Sequence, residues 1–135
     1  MPDIKQLIPQ RDPIVEVDEL LEASETEAVT RLTVREDNYF VHSGVLQEPG
    51  LIEHMAQSAA AFAGNATFLR NEPPHLGFIG EIKRCCIMQL PIVGSVMTTT
   101  VSLVSEIAGV SLVKIAIACD SNPVAECQMK IFLKE

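Results

Sequence analysis

The sequence predicts an α+β domain: one antiparallel sheet of about six strands covered by a single long helix. Three observations carry that reading. The stretch "GLIEHMAQSAAAFAG", Gly50 to Gly64, is the centre of an alanine-rich segment that reads as a helix from near Pro49 to about Leu69. Two strand-like segments precede it and about four follow, each punctuated by short turns. No second long helix competes for the sheet, so the pattern is strands, one helix, then strands.

At 135 residues the chain reads as one domain with enough material for a continuous core. It is 47% apolar and 21% charged, a balance that favours a folded globule over disorder. The formal net charge of −8 argues against a general nucleic-acid binder, which would show a basic stripe. No apolar run reaches the roughly 18 residues that would span a bilayer. The opening "MPDIKQLIPQRD" lacks a positive segment followed by an apolar one, so the expected compartment is the cytoplasm. Four cysteines, Cys85, Cys86, Cys119 and Cys127, show no CxxC pair and no zinc-like spacing. Neighbours on a strand face opposite ways, which makes Cys85 and Cys86 poor partners for one metal. All four are expected reduced and structural, with no metal or other cofactor.

The elements follow in order. "IKQLIPQRDP" reads as a short helix or turn closed by Pro9 and Pro13. Ile14–Ser24 is strand-like at its start, "SETE" reads as a hairpin turn, and Glu27–Glu36 alternates with period two. "NYFVHSGVLQ" reads as a loop before the helix, whose Pro49 sits well in a first turn because its missing N–H has no partner there anyway. "RNEPPH" ends the helix. Strands are expected over Leu76–Met88, Ser95–Ile107, Val110–Asp120 and Val124–Leu133, broken at Pro91 and Gly94, at Ala108-Gly109, and at Ser121 to Pro123. A helix apolar on all sides needs a sheet that curls about it or a second molecule to cover it, a first sign of a dimer.

At about 100° per residue, Gly50, Glu53, Gln57, Ala60, Ala61 and Gly64 fall on one helix stripe. It is polar at its N-terminal end and then carries only small residues, which admit a close backbone or a ligand. His54 and Asn65 border it. A solvated edge would carry Lys or further Glu instead, so the stripe favours a partly buried Glu53 suited to general-acid work.

These residues reach a resemblance. "LIPQRDPIVEVDELLEAS" resembles the opening of the β-hydroxyacyl-acyl-carrier-protein dehydratases, the FabA/FabZ-like family of the hotdog fold. "EHMAQSAAAFAG" is similar to that family's central helix, with an acidic residue four before Gln. "FIGEIKRCCIMQLPIVGSVM" resembles its third strand, and "VAECQMKIFL" its last. The helix is similar in particular to the small dehydratase-like proteins of aryl polyene pathways.

The resemblance implies a hotdog fold and removal of water from a 3-hydroxyacyl thioester, in fatty acid or polyene-type biosynthesis. It implies His42 as general base, supplied across a dimer, and Glu53 as the acid for the departing hydroxyl. Backbone N–H groups near Gly50 would hold the thioester carbonyl, the Ala-rich stripe and Phe78 would line a tunnel for the acyl chain, and Gln57 and Gly80 would also bind substrate. The sequence departs from the family around the histidine: Val41 precedes His42, Ser43-Gly44 follows, and only 11 residues separate His42 from Glu53. His54 is a rival, though it diverges from Glu53 around the helix, and His75 falls in the loop after it.

Acyl carrier protein or coenzyme A would hold the acyl group, with the chain in a homodimer or a hotdog heterodimer. Carrier proteins are acidic, so a docking patch from Lys83, Arg84 and Arg70 is weighed against scattered solubilising charges. Two alternatives stand beside the dehydratase. One is a hotdog acyl-CoA thioesterase, in which the helix carboxylate activates water. The other is a non-catalytic hotdog subunit of a heterodimeric dehydratase, which the altered histidine loop favours.

Overall fold

A turn of 3-10 helix, Ile4–Gln6, opens the chain, capped by the Asp3 carboxylate, which accepts from the Lys5 N–H at 2.9 Å. The computed structural model describes residues 2–71 and 76–134, the side chains of 76–78 and 133–134 excepted, so His75 lies outside the described residues. Eight strands follow: β1 (Glu19–Ala23), β2 (Glu27–Thr33), β3 (Val41–His42), β4 (Val45–Leu46), β5 (Leu76–Ile87), β6 (Val96–Ile107), β7 (Val110–Cys119) and β8 (Asn122–Lys134). The helix α1, Glu48–Leu69, stands between β4 and β5. Six strands form one antiparallel sheet in the order β1-β2-β6-β7-β8-β5, and β3 pairs with β4 alone.

Period-two alternation places the buried row. Ala28, Thr30, Leu32 and Val34, one of the two rows that the alternation sets apart, face inward from β2 and its extension. Val113, Ile115 and Ile117 do the same from β7, and Cys127, Met129 and Ile131 from β8. β6, β7 and β8 are joined by two-residue turns, Ala108-Gly109 and Asp120-Ser121. Both residues of each turn have positive φ, the geometry whose twist matches that of the flanking strands.

The inward rows close on Leu51, Met55 and Ala59 of α1. The helix touches both edge strands, β1 and β5, as well as β2, β6 and β7. Five strand spacings of about 4.8 Å make a flat sheet about twice as wide as a helix with its side chains, so the sheet must curl for both edges to reach it. This is the hotdog architecture. Leu7 closes one end: its carbonyl lies where a side chain on Gly64 would stand, so Gly64 is the point at which the N-terminal segment meets the helix.

Three expectations change. The strand expected from Ile14 begins at Glu19, because Glu16 and Val17 are both buried and the segment does not alternate before that point. The loop ahead of the helix contains the β3–β4 hairpin, turned by Ser43 and Gly44 at φ 52° and 77°. Cys85 and Cys86 do not face opposite ways across a regular strand: a bulge between Lys83 and Cys86, with Arg84 at φ 54°, leaves both exposed. None of the four cysteines is in a disulfide. Among the described residues no helix is long and apolar enough to cross a membrane.

The two sheet edges differ. β1 is short, bulged between Leu20 and Glu22, and ion-paired through Glu19 and Arg31 at 2.7 Å. β5 is 12 residues long and shows Ile79 and Ile82 at its surface.

Candidate active site

The N-terminal end of α1 is built from three segments. The first is the extended stretch Ile14–Asp18, bound to the helix by side chains. The Gln57 amide is engaged at both ends there: Oε1 accepts from the Glu16 N–H at 2.6 Å and Nε2 donates to the Ile14 carbonyl at 2.7 Å. His54, fully buried, donates from Nδ1 to the Glu16 carbonyl at 2.6 Å. A carbonyl can only accept, so Nδ1 carries the proton and Nε2 accepts from the Thr99 hydroxyl at 2.7 Å. Burial drives the imidazole pKa down to about 4, against the pull of the Glu16 carbonyl and Asp18. Ser58 and Thr30 share a further buried bond of 2.8 Å.

The second segment carries His42. The Asn38 side chain accepts from the Phe40 N–H at 2.8 Å, and the Val41 N–H returns to the Asn38 carbonyl at 3.0 Å. The β3–β4 hairpin is then held to the loop after β5 by Leu46 N–H to Pro91 O and Val93 N–H to Gly44 O, both 2.9 Å. Gln47 ties its own side chain to the Val45 carbonyl at 3.0 Å. His42 stands exposed on this hairpin, and its ring makes no hydrogen bond to the described residues.

The third segment is the outward face of α1. The predicted stripe is rotated in the structure by about 80° at the helical 100° per residue. Ile52, Glu53, Ala56, Ala60 and Ala63 form a half-buried outward stripe, with Phe62 half-buried beside it, while Gly50, Gln57, Ala61 and Gly64 turn inward. The small residues had two readings, a close backbone or a ligand, and for Gly64 it is the backbone of Leu7. Glu53 remains on the outward stripe as expected, without a hydrogen bond or ion pair to the described residues.

The other expected site residues resolve individually. A side chain on Gly50 would meet Phe40 and Leu46 at 2.6 Å, and its N–H is given to the Gln47 carbonyl at 2.9 Å. That N–H is therefore not available to a thioester carbonyl. Gln57 is committed to the backbone of Ile14 and Glu16 and does not reach the outward stripe. Gly80 makes room for the Phe132 ring. Phe78 pairs with Phe132 in the β5–β8 register, and its side chain lies outside the described set. Lys83 and Arg84 sit at the β5 bulge, and Arg70 follows the end of the helix.

One group escapes sequence reasoning altogether. Glu16 is 1% exposed. Its Oε1 accepts from Asn38 Nδ2 at 2.7 Å, and its Oε2 is buried without a partner. Burial pushes the carboxyl pKa up to about 7; Asn38 opposes that, while Glu53 and Asp18 add to it. Glu16 lies between valines in a segment where alternation would have sent one of two neighbours outward. The only sequence signal was that this failed to distinguish it from Asp18.

A cleft of about 460 Å³ reaches this region, lined among others by Glu16, Asp18, Leu32, Arg35 and Asn38. A second cavity of about 430 Å³ lies at the far end of α1, between Phe62, Asn65, Ser111 and Val113. Among the described residues no cluster of three His, Cys, Asp or Glu side chains is arranged to hold a metal ion.

The family model for the ApeP-like proteins, described as ApeP dehydratase, matches residues 2–135. The chain belongs to the ApeP-like dehydratase family. Among solved structures it resembles the dehydratase heterocomplex ApeI:P from Xenorhabdus doucetiae, with a TM-score of 0.92 and 18% identity over 100% of this chain and 93% of that one. It also resembles a hypothetical thioesterase with coenzyme A from Streptococcus pneumoniae TIGR4, at TM-score 0.70 and 11% identity over 86% and 84%. The PaaI protein of the E. coli phenylacetic acid degradation operon is similar at TM-score 0.70 and 13% identity over 84% and 81%. At these identities the structures share the fold. Among curated protein sequences none is significantly similar.

Proposed function

We propose that this ApeP-like chain removes water from 3-hydroxyacyl thioesters, with Glu53 as its acid, in a site completed by a second hotdog subunit. One observation carries the reading: Glu53 is a half-buried carboxylate on a stripe of Ile and Ala, and nothing described in its own chain satisfies it. A carboxyl in such surroundings is costly as a spectator and useful as a proton donor.

In the reaction a base takes the α-proton, which the thioester carbonyl acidifies. Glu53 gives its proton to the β-hydroxyl, the C–O bond breaks, and water and the 2-enoyl thioester leave. An imidazole suits the base near neutral pH. His42 fills that role across a homodimer, where its exposed position on the hairpin frees it to meet the neighbouring subunit. In a heterodimer the partner supplies the corresponding base. The heterodimer has its own support, since the ApeI:P structure is a heterocomplex and shares this fold over the whole chain. Acyl carrier protein is the expected holder of the acyl group.

The test follows wild type, Glu53→Gln and His42→Ala, alone and with a companion hotdog dehydratase, on a 3-hydroxyacyl carrier protein. Enoyl product and free thiol are measured together. The expected result is enoyl formation lowered a hundredfold or more by Glu53→Gln, the scale of lost general-acid catalysis. Free thiol without enoyl product would overturn the reading in favour of a thioesterase, the second reading that the coenzyme A-bound neighbour of the same fold favours.

A further inference from the structure

Glu16 stands where the two halves of the site are joined. Its main chain is gripped from α1 by His54 and Gln57, which follow Glu53 by one position and by one helical turn. Its side chain is gripped by Asn38, which also shapes the segment leading to His42. His54, Gln57 and Asn38 each make hydrogen bonds here, but Glu16 Oε2 is buried and has no partner among the described residues.

The charges around it do not neutralise it. Glu53 faces it from the helix and Asp18 from its own segment, both acidic. Arg35 is already bonded to Asp18 at 2.9 Å, and Lys5 to Asp12 at 3.1 Å. His54 is held neutral by its burial, against the pull of the Glu16 carbonyl. An ionised Glu16 would therefore be a buried, unpaired charge beside another carboxylate, which is costly.

We infer that Glu16 is a positioning residue of the dehydratase site, acting through Glu53 and Asn38, and that it does so as the neutral acid. This rests on the function proposed above for Glu53. When Glu53 delivers its proton it becomes a carboxylate, and a neutral Glu16 lets that charge form. An ionised Glu16 opposes it through the low-dielectric space between them. The free oxygen is the one that carries the proton, and the adjoining cleft lets it exchange with solvent.

The experiment compares wild type with Glu16→Gln, which keeps the shape and the Asn38 contact but cannot ionise. Two readouts are taken on the protein together with its companion subunit. The first is the Asn38 side-chain amide resonance against pH, which needs no activity. The second is the rate of enoyl formation between pH 6 and 8.5.

The Asn38 resonance is expected to titrate with a midpoint near the value of about 7 that burial imposes on Glu16, and to stop titrating in Glu16→Gln. The variant should match wild type within about twofold at pH 6 and exceed it about tenfold at pH 8.5, the worth of one like-charge contact at a partly desolvated site. An Asn38 resonance that does not titrate overturns the inference whatever the rates do. So does a variant slowed equally at every pH, which would mark Glu16 as merely structural. Should Glu53→Gln prove fully active, the proposed role of Glu53 fails by itself, and the Asn38 titration still decides the state of Glu16.

Discussion

The two faces of α1 carry polar residues one position apart with opposite fates. On the inward face, His54, Gln57 and Ser58 are buried and each finds its partners inside the chain. On the outward face, Glu53 lies among Ile52, Ala56 and Ala60 and finds none there. Polarity alone does not mark a site. A buried group whose bonds close within the chain holds the fold, and one left open points beyond it.

The sharpest way to break this contrast is to truncate one residue on each face. His54→Ala removes two buried hydrogen bonds, strands the Glu16 carbonyl and the Thr99 hydroxyl, and leaves a cavity. The expected loss is about 3–5 kcal/mol of stability. Denaturant titration of the variant against Glu53→Gln checks it, the latter expected within about 0.5 kcal/mol of wild type. A destabilised Glu53→Gln with an undisturbed His54→Ala would reverse the assignment of faces.

Proton linkage sharpens the contrast next. His54 has a folded pKa of about 4 against an ordinary 6.5, so its burial costs stability as pH falls through that interval. Glu16 has a folded pKa of about 7 against an ordinary 4.5, so its contribution is lost as pH rises through that interval. Between about 4.5 and 6.5 the folded and unfolded chains hold equal numbers of protons on this pair, and the two slopes cancel. Wild type should be flat there. Glu16→Gln should instead gain about 3 kcal/mol as pH rises from 4 to 6.5, the worth of the His54 shift left uncompensated. Thermal unfolding across pH measures both, and a flat Glu16→Gln profile would refute the pairing.

Smaller effects separate positions along the same helix. Gly64→Ala drives a methyl group into the Leu7 carbonyl, a backbone atom that cannot swing aside, at a cost of about 2 kcal/mol. Ala60→Ser on the outward stripe should cost under about 0.5 kcal/mol. Chemical denaturation of the two gives the comparison, and equal losses would put Gly64 outside the core. Between these two lies Ser58→Ala, which frees Thr30 from one buried bond and should cost about 1 kcal/mol. A loss in Ser58→Ala as large as that of His54→Ala would mean the inward face acts as one network.

Much of the fold was legible because β2, β7, the first half of β6 and most of β8 obey the period-two rule and the long strands end at residues that suit a turn. The segment Ile14–Val17 escaped because it belongs to no strand pair, so Glu16 and Val17 are buried together. β3 and β4 have two residues each, too few for any period to register. On the helix, the acidic position was readable from the company of small residues around Glu53. The facing direction was not, because alanine and glycine suit a neighbouring backbone and a ligand equally. Glu16 and Thr99 meet the helix from 38 and 45 residues away along the chain, separations that no local pattern encodes.

The two-residue turns at Ala108-Gly109 and Asp120-Ser121 have a consequence in time. They let β6, β7 and β8 zip together through near-neighbour contacts with little loop entropy to overcome. β5 must instead reach across the chain to β8, and α1 must wait for a curved surface on which to settle. The expected order is therefore meander first, helix capture later, and the Glu16–Asn38 junction last. Pulse-labelled hydrogen exchange during refolding would show β7 amides protected before those of Glu16 and His42, and the reverse order would refute it. The chemistry of this protein would then be the final thing its folding produces.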